Sequence, residues 1–332
     1  MTNVLQASKG KAVIYACGGT GTNIGKKLEQ FRNVSETGMA DLNIVYIDTS
    51  KSNLSETVPK EHCYLFDGLD GSGGIRKDNH KAISDNTRKI IQAFPPQDIN
   101  IVISSGGGGS GSVIAPSIVS ELISKDIPVV TIIIGSTDTR TFVTNTLNTL
   151  KSYENVSNKR NRPVIAAYFQ NSRETPRHKV DEAVIAVILS ITTVFSRENA
   201  ELDTRDLFNF LYYDRPTSFK PQLAHLSVTV GNVPSDISDN VITIATVAVE
   251  GADTSLDFTP EYQCIGYLPA NAPSDVLKNS PIHLIIHNDV FSDVSRDLET
   301  RKETLLVAEQ ARVPTKSILS DDDIATDDGL IV

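Results

Sequence analysis

The feature that most constrains the fold of this chain is a run of glycine and serine at residues 104–112. The run follows a short apolar stretch at 101–103 and precedes an apolar segment, 113–124, that is typical of a helix. Four consecutive glycines cost conformational entropy, so we expect the fold to require bare backbone here. A strand, a glycine loop and a helix N-terminus form a cradle for phosphate, because the amide N–H groups and the helix dipole both face the anion. A flexible Gly/Ser linker is the alternative, and the apolar segments on both sides argue against it.

Apolar runs alternate with helical segments through the first half of the chain. Strands are predicted at 12–17, 43–47, 101–104, 129–134 and 163–169, and helices at 23–31, 80–93 and 113–124. Nearly continuous β-branched strands interleaved with helices are typical of a buried parallel sheet of the doubly wound α/β class. In the second half, strands are predicted at 223–230, 241–249 and 282–287, and a long charged helix at 290–311. These later elements predict a smaller mixed α/β domain with its own sheet.

Composition and charge narrow the class of protein and of partner. The chain has 332 residues, 39% hydrophobic and 22% charged, which is typical of a globular protein with room for two cores. Its net charge of −10, with no dense basic stretch, argues against nucleic acid or a membrane surface as a direct partner. The apolar window 183–195 is too short to span a bilayer and is expected to be a core helix. Three widely separated cysteines fit a reducing cytoplasm, and the polar N-terminus predicts no signal peptide.

Two further glycine-rich segments accompany the run at 104–112. The first follows the first predicted strand and consists of Gly18, Gly19, Thr20, Gly21, Thr22 and Asn23. In a doubly wound sheet such loops meet at the carboxyl edge of the strands, where ligands bind. The other, Gly71-Ser72-Gly73-Gly74, is expected to close over a terminal phosphate with Arg76 as counter-charge. The alternative is that Arg76 is a solvated surface arginine.

Two kinds of nucleotide site are open at this point. Gly19, Gly21 and Gly25, with Asp48 at the end of the second strand, match a dinucleotide fingerprint, so a Rossmann-type NAD(P)-dependent oxidoreductase is the alternative function. A single pyrophosphate does not need two glycine-rich cradles, whereas a triphosphate held from two sides uses both. No Gly-Lys-Ser/Thr follows any of the loops, which excludes a P-loop enzyme.

The run Gly107-Gly108-Gly109-Ser110-Gly111-Ser112 resembles the Gly-Gly-Gly-Thr/Ser-Gly-Ser motif of the tubulin/FtsZ family. That family usually has a further glycine where this chain has Val113. The glycine segment 18–23 and Asp48-Thr49 also match the family pattern, and the resemblance covers almost the whole chain. The short length and the aspartate-rich tail ending Asp-Gly-Leu-Ile-Val resemble the phage tubulins of large nucleus-forming Pseudomonas phages.

The resemblance implies a tubulin/FtsZ-like fold that binds GTP or GDP, with Mg²⁺, and hydrolyses GTP to GDP and phosphate upon polymerisation. The family's base-contacting residues lie before the central helix and in its first turns, which selects Asn171 and Asp181 here. Asp181 is alternatively an exposed acid favoured near a helix N-terminus. The family's ribose loop corresponds to Ser136, Thr137 and Asp138. No residue is assigned as a metal ligand.

Asp203 and Asp206 are the candidate catalytic residues. A helix is predicted over 181–197, starting on the nucleotide side, and about seventeen residues at ~1.5 Å each carry the chain ~25 Å away. The two acids follow this helix and lie three residues apart, so they share a face if a helix starts there. They are too distant to reach their own nucleotide, but a neighbour stacked head-to-tail would present them to the next subunit's terminal phosphate. Alternatively, Asp203 merely caps a helix that starts at Thr204.

The resemblance assigns the same acid pair to the family's activating loop, in which two acids three apart polarise water in the adjoining subunit. The family's common Asn two positions before the first acid is Glu201 here. A head-to-tail contact of this kind does not close, so it builds open filaments of this one chain. A structural polymer that binds nucleotide without hydrolysing it is a further alternative. The resemblance also implies a dynamic filament in the host bacterial cytoplasm that positions phage DNA, with the phage nucleus or capsid as cargo.

Five parts of the chain are predicted from the elements and the resemblance together. They are a GTP-binding Rossmann-like domain at 1–180, a central core helix at 181–198, a mixed α/β domain at 199–288 with its activating loop at 199–207, a C-terminal helix at 289–319 and an acidic tail at 320–332. In the resembling phage tubulins the tail docks on the adjacent subunit, whereas a purely solvated tail is the alternative. The candidate docking bases are Arg296, Arg301, Lys302 and Lys316.

Overall fold

The computed structural model describes residues 9–32, 38–54, 58–233, 240–269 and 280–312. Within these ranges the strands are β1 (Lys11–Cys17), β2 (Asp41–Asp48), β3 (Cys63–Leu65), β4 (Ile99–Ser105), β5 (Val129–Ser136), β6 (Val164–Asn171), β7 (Leu223–Val230), β8 (Val241–Val249), β9 (Tyr262–Leu268) and β10 (Ile282–His287). The α-helices are α1 (Gly18–Leu28), α2 (His80–Ala93), α3 (Gly111–Ile123), α4 (Arg140–Arg160), α5 (Arg177–Val194), α6 (Thr204–Leu211) and α7 (Val290–Gln310). The tail at 320–332 and Lys316 lie outside the described residues.

All of these strands form one sheet, in the order β3-β2-β1-β4-β5-β6-β7-β10-β8-β9. From β3 to β7 neighbouring strands are parallel, so their carboxyl ends share one edge of the sheet. β10 is antiparallel to both β7 and β8, and β9 is parallel to β8. The strand order reverses between β1 and β4, which is where doubly wound sheets bind ligands at their carboxyl edge.

Side chains of the sheet alternate between two cores, one on each face. In β1, Ala12, Ile14 and Ala16 face the core that α1, α5 and α6 cover. Val13, Tyr15 and Cys17 face the other core, which α2, α3, α4 and α7 cover. Helices on both faces of a mostly parallel sheet confirm the predicted α/β class. Among the helices of the described ranges, none combines the length and hydropathy that a bilayer crossing requires.

The sheet and three elements differ from the sequence-based expectation. β7 pairs with β6, with Leu223 opposite Val164, so strands of both halves form one continuous sheet instead of two. The 21-residue helix α4 and the strands β3 and β9 are absent from the predicted elements. The segment 18–23, expected as a loop, forms the first six residues of α1, entered through Gly18 with φ of +70°.

The central helix α5 is shifted towards the N-terminus relative to its prediction at 181–198. It begins at Arg177, directly after Pro176, and ends at Val194. Proline is tolerated at a helix start because the first N–H groups have no intrahelical acceptor. The shift brings the first residue of α5 to the carboxyl edge of the sheet.

Candidate functional site

A cavity of about 600 Å³ opens at the carboxyl edge of the sheet, where β1 and β4 are neighbours. Its walls come from the segments that follow β1, β2, β4, β5 and β6, from the glycine segment after β3 and from the first turns of α4 and α5. The predicted site residues that line it are Gly18, Gly19, Thr20, Asp48, Gly73, Gly108, Gly109, Ser110, Gly111, Asp138 and Asn171. Three glycine segments that are distant in sequence therefore meet at one place.

The first two glycine segments touch each other through bare backbone. A Cβ on Gly18 would lie 2.9 Å from the Cα of Gly111, and a Cβ on Gly111 would lie 2.7 Å from the carbonyl oxygen of Cys17. This closeness follows from the direct pairing of β1 and β4, since both segments leave the sheet side by side. Because α3 begins at Gly111, its unpaired N–H groups and positive dipole end face the cavity.

The third glycine segment closes the cradle from the opposite side. A Cβ on Gly109 would lie 1.9 Å from Ser72 Oγ, so the two segments approach as closely as glycine allows. Ser110 Oγ donates a hydrogen bond to Ser72 Oγ at 3.1 Å and shares another with Thr49 Oγ1 at 2.6 Å. Hydroxyl groups therefore join the segments after β2, β3 and β4.

Helix α4, which sequence reasoning missed, holds two of the glycine segments together. Asn145 Nδ2 donates to the carbonyl oxygens of Gly74 at 2.8 Å and of Gly107 at 3.0 Å. Thr149 Oγ1, one turn later, donates to the carbonyl oxygen of Gly106 at 2.8 Å. Both side chains are buried, and their polar atoms satisfy carbonyls that glycine loops leave without secondary-structure partners.

Asp48 lines the cavity and also organises the turn after β2. Its Oδ1 accepts hydrogen bonds from the N–H groups of Thr49 at 2.7 Å and Ser50 at 3.1 Å, and its Oδ2 accepts one from Asn53 Nδ2 at 2.8 Å. Burial raises the pKa of Asp48, and these three hydrogen bonds oppose the rise by favouring the carboxylate.

The far end of the cavity offers an acceptor with no partner. Asn171 Oδ1 is buried and makes no hydrogen bond, and the residue lines the cavity at the end of β6. Next to it, the N–H of Thr137 donates to the Asn171 carbonyl oxygen at 3.4 Å, and the Thr137 carbonyl accepts from Arg301 Nε at 3.2 Å. A buried acceptor without a donor is rare, which sets Asn171 Oδ1 apart from the other polar atoms of the cavity wall described above.

Two charged residues lie elsewhere than predicted. Arg76 does not line the cavity, and its guanidinium instead donates to the Ser112 carbonyl oxygen at 3.0 Å, so its expected position over a terminal phosphate is wrong. Asp181 is 5% exposed and pairs with Lys27 at 2.7 Å, so it is neither a cavity residue nor the exposed acid of the alternative. In both cases the charged group is bound to another part of the protein and does not line the cavity.

Several other predicted site residues support the cavity from behind its walls. Gly21 allows α1 to pack on the sheet, since its Cβ would lie 2.6 Å from the Ile103 carbonyl oxygen. Ser112 Oγ donates to the Gly108 and Gly109 carbonyl oxygens at 2.6 and 3.0 Å. Outside the cavity lining are Gly21, Thr22, Asn23, Gly74, Arg76, Gly107, Ser112, Thr137 and Asp181. Lining residues that the sequence reasoning missed are Cys17, Ser50, Asn53, Phe142, Ser172 and Arg177.

The acid pair forms the N-terminus of α6. Asp203 Oδ1 accepts from the N–H groups of Arg205 at 2.7 Å and Asp206 at 2.9 Å, while Asp206 Oδ2 accepts from the Asp203 N–H at 3.1 Å. This reciprocal pattern is a capping box, so the structural alternative for Asp203 is present. The hydrogen bond from the Asp206 N–H is the main cause that lowers the pKa of Asp203 and keeps it ionised.

The acid pair and the cavity lie at opposite edges of the sheet. Thr204 and Leu207 of α6 border a small cavity together with Asp98 and Pro128, which precede β4 and β5. The main cavity lies at the other ends of these strands. Helix α5 starts there at Arg177 and spans 18 residues, or ~27 Å at ~1.5 Å per residue, before the chain reaches the acids. One subunit's acids therefore do not reach its own cavity.

Known proteins resemble this chain in sequence and in structure over nearly its whole length. No family model matches the chain. It is 29% identical over 337 residues to the phage tubulin-like protein of Pseudomonas phage phiKZ, covering 98% of this chain and 99% of that protein. It is 27% identical over 326 residues to the phage tubulin-like protein of Pseudomonas phage PhiPA3, covering 98% and 100%. Among solved structures, the protofilament of TubZ from bacteriophage PhiKZ superposes with a TM-score of 0.82 at 28% identity, over 97% of this chain and 99% of that one.

The chain is therefore similar to phage tubulin-like proteins, and to a solved structure of the tubulin/FtsZ superfamily, over nearly its whole length. A second solved structure, the phage tubulin PhuZ with GDP, superposes with a TM-score of 0.84 at 21% identity over 97% of this chain and 99% of that one. The tubulin/FtsZ-like fold expected from the glycine run is thereby confirmed. In the parts of the chain that the structure describes, no group of three or more His, Cys, Asp or Glu side chains is arranged to hold a metal ion.

Proposed function

We propose that this chain is a GTP-binding, self-assembling GTPase that forms head-to-tail filaments and hydrolyses GTP at the joints between subunits. The observation that carries the proposal is the separation of two half-sites: three glycine segments converge on a cavity at one edge of the sheet, and an acid pair lies at the other edge. The similarity to a protofilament structure and to a GDP-containing phage tubulin supports self-assembly and a guanine nucleotide.

The cavity suits a nucleotide whose phosphates bind backbone amides. The N-terminus of α3 and the amides of 109–111 offer donors for phosphate without a cluster of basic side chains. At the other end, Asn171 Oδ1 would accept a hydrogen bond from the base, and guanine offers the N1–H and N2 amino donors that this acceptor needs. Mg²⁺ would arrive with the triphosphate and be held mainly by phosphate oxygens and water, as is usual for this ion.

The joint between subunits completes the reaction site. A neighbour stacked on the carboxyl edge of the sheet would bring its Asp203 and Asp206 to the terminal phosphate, where the carboxylates orient and polarise the attacking water. Phosphoryl transfer depends mainly on positioning and charge stabilisation, so ordering this water is an adequate trigger. The alternative of an NAD(P)-dependent oxidoreductase has no support from similarity to phage tubulins along nearly the whole chain, and it leaves the third glycine segment without a role.

The setting and cargo of the filament extend the proposal. The filament would work in the cytoplasm of the infected bacterium and position phage DNA or the phage nucleus, with the nucleus or capsid as cargo. The acidic tail at 320–332 would contact the adjacent subunit through its aspartates and apolar end. Deleting residues 321–332 is then expected to raise the critical concentration for assembly, and added salt to do the same. Unchanged assembly of the shortened chain would remove the tail from the proposal.

Phosphate release and right-angle light scattering, recorded together with GTP, test the proposed function. The wild-type chain is expected to scatter above a threshold concentration and to release phosphate only above it. Asp206→Asn should assemble and persist without turnover, whereas Glu198→Gln, which removes one charge from the exposed segment just before α6, should behave as wild type. If the wild-type chain responds to GTP by neither signal, the proposal fails and NADH binding becomes the next measurement.

A further inference from the structure

Helix α3, which presents its N-terminus to the cavity, contains Pro116 at its sixth residue. Proline has no N–H, so the carbonyl oxygen of Ser112, four residues earlier, lacks its regular helical donor. Ser112 is fully buried, and a buried carbonyl without a donor is destabilising. The helix that forms the phosphate cradle therefore has a defect that another group must repair.

Arg76 supplies the missing donor. Its Nη1 donates to the Ser112 carbonyl oxygen at 3.0 Å and also to Thr149 Oγ1, while its Nη2 donates to Ser152 Oγ at 2.9 Å. The guanidinium thus joins α3 to α4. Burial lowers the pKa of Arg76, and no carboxylate in the described part of the chain forms an ion pair with it. Its hydrogen bonds to these two helices are therefore its main attachment.

Arg76 stands directly after the third glycine segment, which has little rigidity of its own. Gly71, Gly73 and Gly74 all have positive φ, and a Cβ on Gly73 or Gly74 would meet no atom within 4 Å. Two side-chain attachments flank this open stretch on its C-terminal side: the bond from Asn145 to the Gly74 carbonyl oxygen, and the bonds of Arg76. The N-terminal half of the segment has other attachments: the Gly71 N–H donates to the Thr49 carbonyl oxygen, Asn79 Nδ2 donates to the Gly71 carbonyl oxygen, and Ser110 Oγ donates to Ser72 Oγ. The bonds of Asn145 and Arg76 therefore position its C-terminal half, Gly73 and Gly74.

The strand order shows which part of a nucleotide segment 71–74 would meet. Asn171 ends β6, the cradle lies between β1 and β4, and segment 71–74 follows β3 at the opposite end of the parallel strands. A nucleotide with its base at Asn171 and its phosphates on the cradle would extend its last phosphate towards segment 71–74. A diphosphate would end nearer the cradle.

We propose that Arg76 is a positioning residue that gives the cavity its preference for a nucleoside triphosphate over a diphosphate. By binding the Ser112 carbonyl that Pro116 leaves free, Arg76 holds segment 71–74 in the cavity wall where the last phosphate lies. The inference rests on the proposed function, because it takes a guanine nucleotide as the ligand. It differs from a counter-charge role, since the guanidinium acts through the backbone and does not touch the nucleotide.

Four proteins separate this positioning role from a merely structural one: wild type, Arg76→Leu, Pro116→Ala and the double variant. Alanine at 116 provides the N–H that the Ser112 carbonyl needs, so the double variant repairs α3 but leaves segment 71–74 without the attachment through Arg76. The measurements are the melting temperature and the ratio of affinities for a non-hydrolysable GTP analogue and GDP, taken below the concentration at which scattering shows assembly. This concentration limit keeps polymerisation from contributing to binding.

Arg76→Leu is expected to lower the melting temperature and to reduce the preference for the GTP analogue by about tenfold, the effect of one lost attachment. The double variant should recover the melting temperature but keep the reduced preference, and Pro116→Ala should keep the wild-type preference. The inference is overturned if Arg76→Leu retains the preference, or if the double variant recovers both properties together. A wild-type chain that binds neither guanine nucleotide would instead overturn the proposed function.

Discussion

Gly109 is the residue at which the cradle has least room for a side chain. A Cβ there would lie 1.9 Å from Ser72 Oγ and 3.1 Å from the Gly74 carbonyl carbon, so Gly109→Ala must displace the third glycine segment. We expect nucleotide affinity to fall about tenfold or more, because overpacking costs ~1–3 kcal/mol. Titration calorimetry with GDP, alongside thermal unfolding, measures both effects.

Gly108→Ala is the matched control for this substitution. Its Cβ would have Ser105 Cβ at 3.5 Å as its nearest neighbour, an ordinary contact, so the melting temperature should stay at the wild-type value. Wild-type GDP affinity in Gly109→Ala would show that the contact with Ser72 is not needed for binding.

Some residues of the candidate site could be predicted from the sequence, and others could not. Asp48 and Asn171 follow strands that the apolar pattern reveals, so their place at the carboxyl edge could be predicted. The positions of the Arg76 and Asp181 side chains could not be predicted, because their partners are distant in sequence and come close only in the folded chain. Arg76 donates to the Ser112 carbonyl oxygen, which has no helical donor because of Pro116. Asp181 pairs with Lys27, which is 154 residues away in the chain.

Helix α6 is the element on which structural and catalytic roles of the acids can be separated. Asp203→Ala removes the acceptor for two helix N–H groups and should lower the free energy of unfolding by ~1 kcal/mol. Asp203→Asn keeps an equally good cap and should leave stability unchanged. Both variants lack the carboxylate, so both should lose GTP hydrolysis in assembled filaments. Urea unfolding and phosphate release test the pair, and full hydrolysis by Asp203→Asn would reduce Asp203 to a cap.

The packing of α7 on the sheet carries a dependence on pH. His225 of β7 and His287 of β10 lie opposite each other, and Phe291 of α7 packs on the His225 ring at 5.7 Å between centroids. Burial lowers the pKa of each histidine from 6.5 to about 4. Between these values the unfolded chain takes up protons that the folded chain refuses, so stability is retained above pH ~6.5 and falls as the pH drops towards 4.

Thermal unfolding between pH 7.5 and pH 4.5 tests this dependence. His287→Gln, whose amide can still bond Ser227, should show a shallower fall in melting temperature than wild type. His178→Gln, at an exposed position on α5, should follow the wild-type curve. Parallel curves for all three proteins would exclude the buried pair as the cause.

Helix α4 was not predicted from the sequence, and its composition gives the reason. Its sequence is rich in threonine, asparagine and serine, which are weak helix formers and obscure an apolar stripe. Asn145 and Thr149 nevertheless lie on the buried face, because they bond the carbonyls of the glycine segments. The strongly apolar strands β1, β4 and β5 could be predicted, whereas a helix whose buried face serves polar loops could not.

Across the whole molecule, the separation of cavity and acids predicts that two variants, each impaired in a different half-site, restore each other's hydrolysis. Asp206→Asn keeps an intact cavity, and Gly109→Ala keeps intact acids. In a randomly mixed filament about a quarter of the joints would combine the two intact halves, because each joint takes its cavity from one subunit and its acids from the next. Phosphate release from the 1:1 mixture should therefore exceed that of either variant alone.

The same mixture distinguishes action between subunits from action within one. If the acids served the cavity of their own chain, no subunit in the mixture would contain both working parts. Mixing would then restore nothing. A mixture of Asp206→Asn with Asp203→Asn is the matched control, since neither variant offers a complete acid pair and no joint can be whole.

The position of the two half-sites at opposite edges of one sheet also makes the two ends of such a filament chemically unlike. At one end the last subunit exposes an open cavity with no acids above it, so its nucleotide exchanges with solvent and stays intact. At the other end the last subunit exposes acids, and every nucleotide behind it is enclosed by a neighbour. In the proposed filament, growth at the first end would then depend on the supply of nucleotide, and loss at the second end on the time since each joint formed. The structure of the subunit would therefore give such a filament a defined polarity.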